Sequence, residues 1–417
     1  MPEHPYAVVG GGPAGGAAAR ALAAAGTDVV LLTGEDRPPY DRTVLSTDVL
    51  LDPDVAVPEV WPPGAEWRAR IDVRTRTSVA ALDPDTRTLT TAAGEQVSFE
   101  AVLLAPGAEP RRLRVVGSDG PGVHHLRDTG DALSISHALG RVHRLVVVGG
   151  GVLGLEVAAA AAMRGVDVEV VEARPRVLGR GVPAPIAAWI VALHEQHGVR
   201  VRTGAAPDAV QRSPDGAVRG VRLIDGTVLP ADAVVVGIGI EPREHLALAA
   251  GLACDNGILV DASGRTSHPA VFAAGDAVRM RRTGESYGIR LESFSAAGRQ
   301  GEVAAHTMLG RDDTFADVPW WWSDQYDATL HSTGVATPDA REVLVGTPEA
   351  PLVLSMAGER LVAACGVGHG PEIARPVRAA GRVIAARGRV DVRELRTSGG
   401  DPASLTAAFR AAARASV

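Results

Sequence analysis

Two stretches of the chain, residues 8–35 and 147–172, share one pattern. Each opens with a short apolar run, passes through a glycine cluster, continues in an alanine-rich segment, and ends in a second apolar run closed by an acid. An unbroken apolar run predicts a strand buried on both faces of a parallel sheet, and the alanine-rich segment predicts the helix that crosses over between two such strands. Between the two units the texture changes. Residues 87–91 and 97–104 alternate hydrophobic and polar positions and are punctuated by Asp-Pro and Gly signals, which predicts a small antiparallel sheet. Residues 216–236 repeat that texture after the second unit. From Pro319 the chain turns to Trp320-Trp321-Trp322, strand-like runs at 342–345 and 352–354, and then arginine-rich helical sequence, which reads as a third domain.

The glycine clusters carry the first chemistry. The first reads Gly10-Gly11-Gly12-Pro13-Ala14-Gly15 and the second Gly149-Gly150-Gly151-Val152-Leu153-Gly154, so both satisfy GxGxxG between a strand and a helix. In such a turn the first glycine makes the bend, the second lets backbone approach a pyrophosphate, and the third lets helix and strand pack closely. The helix N-terminus then offers its free N–H groups to the diphosphate. About two dozen residues beyond each first glycine stand Glu35 and Glu172, each placed to accept from ribose hydroxyls. One such fingerprint is weak evidence, since glycines also mark ordinary turns. Two in matching contexts predict two nucleotides.

Composition narrows the rest. With 417 residues and 46% hydrophobic content the chain has enough core for roughly two to three domains. Its longest apolar stretch, 145–155, is studded with glycine and ends at Glu156, far short of the roughly 20 residues that span a bilayer. The alanine-rich opening lacks the basic start of a signal peptide, so no membrane association and a cytoplasmic location are expected. A net charge of -7 argues against a general nucleic-acid binder. Cys254 and Cys365 are too far apart in sequence for a CxxC or CxxxxC pair, which argues against a dithiol relay and leaves them as small buried residues. No metal site is expected. The chain has no lysine, so its 42 basic residues are all arginine, and Asn256 is its only asparagine.

With those residues in place, the chain resembles the FAD-dependent ferredoxin reductases that serve cytochrome P450 and ring-hydroxylating dioxygenase systems. The likeness runs through Pro39-Tyr40-Asp41-Arg42 and Leu45-Ser46 (PYDR…LSK in the family), Gly107 (in its ATG turn), and Gly122-Val123-His124-His125-Leu126-Arg127 (GVxxLR). It continues through Val236-Gly237-Ile238-Gly239, Phe272-Ala273-Ala274-Gly275-Asp276 (AxGD) and Pro319-Trp320-Trp321-Trp322-Ser323-Asp324-Gln325-Tyr326, close to the PWFWSDQY signature of the reductase C-terminal domain. The resemblance implies an α/β chain with two Rossmann-like dinucleotide-binding domains of the glutathione-reductase-like superfamily and an α+β C-terminal domain. Its expected divisions are an FAD-binding domain in two parts, 1–112 and 241–318, a nicotinamide domain at 113–240, and a reductase C-terminal domain at 319–417. The expected FAD contacts are Gly10, Gly12, Pro13, Ala14, Gly15, Glu35, Arg42, Thr47, Val79, Ala105, Arg127, Gly275, Asp276, Phe294 and Trp322. For the nicotinamide nucleotide they are Gly149, Gly151, Val152, Leu153, Gly154, Glu172 and Gly239, and Glu156 is expected beside the flavin.

The implied reaction takes electrons from NADH through tightly, non-covalently bound FAD to a small acidic [2Fe–2S] ferredoxin, in a monomer or a homodimer. Glu172 would repel a 2′-phosphate and favour NADH, with Arg174 and Arg176 keeping NADPH open. Three positions depart from the family. Pro106 replaces the threonine of the ATG turn, and Phe294 stands where many members have tryptophan. Most members also have a lysine at Thr47, paired there with the glutamate matching Glu156. Without that cation the Glu156 carboxyl should have a raised pKa and be able to exchange protons, unless an arginine such as Arg42 takes over. Glu156 and Thr47 are therefore the candidate catalytic positions. A flavoenzyme acting on a small organic substrate through Glu156, or a flavin-bound redox sensor, are the competing readings.

Overall fold

A computed structural model describes residues 4–281, 288–397 and 400–415. Its contacts divide the chain into two compact units. The first comprises Met1–Arg42, Ala56–Glu109 and Ile240–Asp317. The second comprises Thr43–Val55, Pro110–Gly239 and Val318–Val417.

The first unit is built on a five-stranded parallel sheet in the order Val271–Ala273, Ala101–Leu104, Tyr6–Val9, Val29–Leu32, Ile71–Arg74. Val29–Leu32 is buried at all four positions, as an apolar run inside a doubly covered sheet must be. The helix Pro13–Ala24 crosses between the strands Tyr6–Val9 and Val29–Leu32, and packs against the helix Phe294–Met308. Small residues make that approach possible: a Cβ at Gly301 would lie 2.1 Å from the carbonyl oxygen of Ala14. Further along the helix pair, Arg20 is paired with Glu302.

The expected antiparallel sheet is present as Val79–Asp83, Thr88–Thr91 and Gln96–Ser98, but it is smaller than the sequence suggests. The stretch 97–104 divides. Its second half, Ala101–Leu104, is a parallel strand paired with Tyr6–Val9, with Val102, Leu103 and Leu104 fully buried. The region 216–236 divides in the same way, since Val218–Leu223 and Val228–Pro230 join an antiparallel sheet while Ala233–Val236 is a buried parallel strand. In both cases the change from alternation to a continuous apolar run marks the change of sheet.

The second unit holds another five-stranded parallel sheet, in the order Arg200–Thr203, Asp167–Glu172, Arg144–Val148, Ala233–Val236, Val123–His124, with the crossover helix Val152–Met163. Its last 100 residues contain an antiparallel sheet ordered Trp320–Gln325, Ala328–Gly334, Arg360–His369, Pro351–Ala357, Arg341–Gly346. The helices Ala374–Ala385 and Pro402–Ala415 close its core around Leu352, Leu354, Val377, Val383 and Phe409. The short segment Thr43–Val55 is grouped here too. It is held by Arg164, whose Nη1 donates to the carbonyls of Leu50 (2.7 Å) and Ser136 (2.8 Å) and to Ser136 Oγ (2.9 Å).

The helix contact at Gly301 supplies a test with an internal control. Gly301→Ala pushes a methyl into the Ala14 carbonyl and should cost about 2–3 kcal/mol, seen as a lowered thermal midpoint. Gly298→Ala on the same helix meets nothing within 4 Å, and should stabilise the protein by about 0.5–1 kcal/mol through helix propensity.

Candidate functional site

In the first unit the fingerprint turn follows the strand Tyr6–Val9. Gly10 has φ +113°, and a Cβ there would lie 2.1 Å from the carbonyl oxygen of Ala105. Gly15 is equally constrained, its Cβ falling 1.9 Å from the Gly10 oxygen. Gly12 differs from both. A Cβ on it would meet nothing closer than the Arg42 guanidinium at 3.9 Å, so its α-carbon looks onto open space beside a cation. The helix Pro13–Ala24 starts there with proline in its first turn, no side-chain cap and no acid, so its N–H groups are not claimed by the protein's own carboxylates. Gly275, at φ +82°, comes against this helix start: a Cβ on it would sit 3.0 Å from the Ala14 methyl. Its N–H donates to Gln300 Oε1 at 2.9 Å, and Asp276 follows, half-buried. These features fit the diphosphate and sugar of a dinucleotide: bare backbone, uncapped amides, a cation and a carboxylate.

Glu35 lies beyond the strand Val29–Leu32. It accepts from Tyr40 Oη at 2.6 Å and pairs with Arg42, whose guanidinium lies 4.8 Å from the centre of the Tyr40 ring. The Pro-Tyr-Asp-Arg motif is thus a brace for Glu35, in which Arg42 is engaged. Val79 opens a strand at the edge of the small sheet and packs on the unit's core. Phe294 is the first residue of its helix, capped by Ser293 Oγ accepting from Ala296 N.

The second fingerprint reproduces the first. Gly149 has φ +111° and its Cβ would fall 2.3 Å from the Gly237 oxygen, while Gly154 would strike the Gly149 oxygen at 2.1 Å. Gly151 has open space, with nothing nearer than 4.0 Å. Val152 and Leu153 form the first turn of the uncapped helix Val152–Met163. Glu172 ends its strand with both carboxyl oxygens on backbone: Oε2 accepts from Gly150 N at 2.9 Å and Oε1 from Arg174 N at 2.8 Å. The acid therefore braces the turn itself. Two guanidinium side chains that the sequence did not single out, Arg111 and Arg180, border Gly239, within 3.8 and 3.9 Å of where its Cβ would be. Their separation along the chain hides them from any motif. Thr47 and Arg127 also belong to this unit, and the Arg127 N–H donates to Asp131 Oδ2 at 2.9 Å in a capping box at the start of the helix Thr129–Leu139.

Glu156 sits in the second turn of its helix. Among the described residues its carboxyl is held by two hydroxyls and no cation. Ser46 Oγ donates to Oε2 at 2.5 Å and Ser323 Oγ donates to Oε1 at 2.6 Å. Thr47 turns elsewhere, donating to the Thr43 carbonyl at 3.3 Å. Its neighbour Ser46 supplies the contact, and the tryptophan motif supplies the other through Ser323. Burial pushes the Glu156 carboxyl up to about 7, the charge of Asp324 adding to the shift and the two serines opposing it. Asp324 is itself raised, by burial and by Asp48, against a hydrogen bond from Trp322. Trp322 packs edge to face on Trp320 at 4.7 Å and pairs across the sheet with His331, whose imidazole burial pushes down to about 4.

The sheets, the two matched turns and the two open second glycines define a dinucleotide-using oxidoreductase with a separate C-terminal module. Residues 4–301 match the family model described as pyridine nucleotide-disulphide oxidoreductase, and residues 320–404 match that of the reductase C-terminal domain. The chain belongs to this oxidoreductase family, among its ferredoxin reductases. It is 36% identical over 402 residues to the ferredoxin–NAD(+) reductase component of the anthranilate 1,2-dioxygenase system of Burkholderia cepacia, covering 95% of this chain and 97% of that protein. It is 37% identical over 354 residues to the corresponding biphenyl dioxygenase component of Paraburkholderia xenovorans, covering 84% and 86%. Among solved structures it is similar to putidaredoxin reductase in its covalent complex with putidaredoxin, at TM-score 0.90 and 30% identity over 99% of this chain and 100% of that one. Among the described residues no helix is long and apolar enough to cross a membrane.

The environment of Glu156 predicts a pH-dependent stability. Its pKa in the folded protein lies above the ordinary 4.5, so the folded state holds this proton more tightly than the unfolded chain. That stability is complete below about 4.5 and is lost as pH rises toward 7. Glu156→Gln removes the penalty and should stabilise the protein at alkaline pH by about 2 kcal/mol, less than the full shift because the residue keeps some contact with solvent. Paired melting curves should show the two proteins converging in acid.

Proposed function

We propose that the chain is the NADH-dependent reductase of a small acidic [2Fe–2S] ferredoxin that serves an oxygenase. The observation that carries this reading is the pair of matching glycine turns, each with a second glycine facing open space at an uncapped helix start. FAD, when bound, accepts two electrons from NADH and releases them singly, and the protein positions and tunes it.

In this reading FAD is held non-covalently by the segments 1–112 and 241–318. Gly12 and the amides of the helix Pro13–Ala24 receive its diphosphate, Arg42 supplies positive charge, and Asp276 accepts from sugar hydroxyls. Residues 113–240 take the nicotinamide nucleotide at Gly151. Glu172 favours NADH because a carboxylate at the end of that strand would repel a 2′-phosphate, with Arg174 and Arg176 leaving NADPH a weaker substrate. Residues 319–417 form the reductase C-terminal domain. On that domain Arg375, Arg378 and Arg382 are exposed at helical spacing along Ala374–Ala385, and Arg378 lies 5.4 Å from the centre of the Trp320 ring. Such a basic stripe suits an acidic partner and speeds encounter more than it tightens binding.

Glu156 also supports a second reading, a flavoenzyme that exchanges a proton with a small organic substrate, because its carboxyl titrates near neutrality.

An anaerobic titration with NADH, then with [2Fe–2S] ferredoxin and cytochrome c, separates the two. Flavin bleaching by NADH followed by catalytic cytochrome reduction is expected. Bleaching with no ferredoxin-dependent turnover rejects the electron-transfer reading. Reversing the stripe with Arg375→Glu, Arg378→Glu and Arg382→Glu should raise KM for the ferredoxin at least about tenfold and flatten its salt dependence. NADH-driven reduction of a small neutral dye should not change.

A further inference from the structure

Behind Glu156 the second unit contains a hydrogen-bonded chain that reaches from its carboxyl to the turn after the tryptophan strand. Ser323 Oγ donates to Glu156 Oε1 at 2.6 Å, and Gln325 Nε2 donates to Ser323 Oγ at 3.0 Å. Gln325 Oε1 lies 2.8 Å from His194 Nε2, and His194 Nδ1 lies 3.1 Å from Tyr326 Oη. His194 and Gln325 are buried, while Tyr326 is half-buried and stacks on the His197 ring at 3.7 Å. Neither fingerprint needs this chain, and a turn that only joined two strands would not need three polar side chains inside the protein. A buried polar group without a partner costs about 1–3 kcal/mol, so the bonds must be satisfied together.

We propose that Gln325 and His194 are positioning residues for Glu156, joined in a reversible chain in which a proton on Glu156 decides which ring nitrogen of His194 carries hydrogen.

The bonding capacities of the groups leave two consistent arrangements. With Glu156 ionised, its oxygens only accept. Ser323 must then donate to it and accept from the Gln325 amide. The Gln325 carbonyl accepts from His194 Nε2–H, and His194 Nδ1 accepts from Tyr326. Every donor points toward Glu156. With Glu156 protonated, its O–H donates to Ser323, and Ser323 donates to a Gln325 side chain turned about its terminal torsion. The amide then donates to His194 Nε2, and Nδ1–H donates to Tyr326 Oη, which remains wet enough to bond water. The alternative places the proton on the other carboxyl oxygen, donating to Ser46. Ser46 is buried, and among the described residues its hydroxyl bond is to Glu156, so its own hydrogen would lose its acceptor. That cost favours reversal of the chain.

Both ends have the required titration. Burial pushes His194 down to about 4, against its bond to Gln325 and aided by His197, so the ring stays neutral while Glu156 changes state near 7. A neutral ring changes tautomer, not charge. The charged groups facing Glu156 are Asp324 from the tryptophan strand and, next to Asp324, Asp48 from the helix Asp48–Leu51. Asp324 opposes ionisation of Glu156, and Asp48 opposes ionisation of Asp324.

The proposal depends on the reading of Glu156 as a site residue only for its consequence in catalysis, and its test does not require a ferredoxin. The full FAD-loaded protein, labelled with 15N-histidine, is followed by long-range proton–nitrogen correlation, with His194→Asn assigning the signal. The carboxyl stretch of Glu156 is followed in parallel by infrared difference against Glu156→Gln. The expected result is His194 protonated on Nδ1 in mild acid and on Nε2 in mild base, with one midpoint shared by the carboxyl band. In Glu156→Gln the tautomer should stop responding to pH. In Gln325→Leu, His194 should also stop responding, and the carboxyl midpoint should rise by about one pH unit because Ser323 is no longer held as a donor. Tyr326→Phe, the mildest change, takes the acceptor from Nδ1–H and should lower the Nδ1–H fraction in acid. A His194 tautomer that stays constant while Glu156 titrates overturns the proposal. A pH response retained in Gln325→Leu, or a tautomer balance unmoved in Tyr326→Phe, does the same. Loss of ferredoxin reduction with the coupled titration intact would instead count against the functional reading alone.

Discussion

The architecture depends on one steric constraint, met twice: backbone carbonyls that leave no room for a side chain. At Gly10 and Gly149 the chain turns so closely past the end of the neighbouring strand that a single methyl would overlap Ala105 or Gly237. At Gly15 and Gly154 the helix returns onto the turn it has just left. These contacts fix where each helix begins, and the helix start fixes where uncapped amides and an open glycine face outward. Everything assigned to a nucleotide in either unit follows from those few ångströms. The acids that follow have a related task, because Glu172 bonds the Gly150 amide and Glu35 is locked by Tyr40 and Arg42, so each carboxylate is oriented by the protein's own groups.

Much of this was legible in the amino-acid order. Apolar runs closed by acids marked the parallel strands, and the glycine spacing marked the turns, because both are local requirements that only a few residue types meet. The errors came where two strands of different sheets lie close in sequence. Residues 97–104 pass from an antiparallel strand to the parallel strand Ala101–Leu104 with only a short break, and alternation at the start hid the buried run at the end. The Glu156 site was half legible. The missing lysine at Thr47 pointed to an unpaired carboxyl, and among the described residues two hydroxyls and no cation hold it. That two serines would hold it, one beside Thr47 and one inside the tryptophan motif, could not be read from spacing, since Ser46, Glu156 and Ser323 meet only in three dimensions.

The substitution at Thr47 also changes the kind of electrostatics at this position. A lysine would hold the carboxylate by charge, at long range and with little regard for direction. Hydroxyls act at short range and can both donate and accept. Glu156 is thereby tied to the orientation of a serine, an amide and an imidazole, and the tryptophan motif contributes more than an aromatic surface.

The first unit is assembled from three separated pieces of chain, and its outer parallel strand, Val271–Ala273, comes from the last of them. On a ribosome the first fingerprint therefore emerges early but cannot complete its sheet, or the helix contact at Gly301, until well over two hundred further residues have followed. The parallel sheet of the second unit draws all its strands from Pro110–Gly239 and can close before that point. Long-range pairing of this kind is slow and leaves apolar edges exposed while it waits. Of the two parallel sheets, the one begun earlier in the chain is thus the later to be completed.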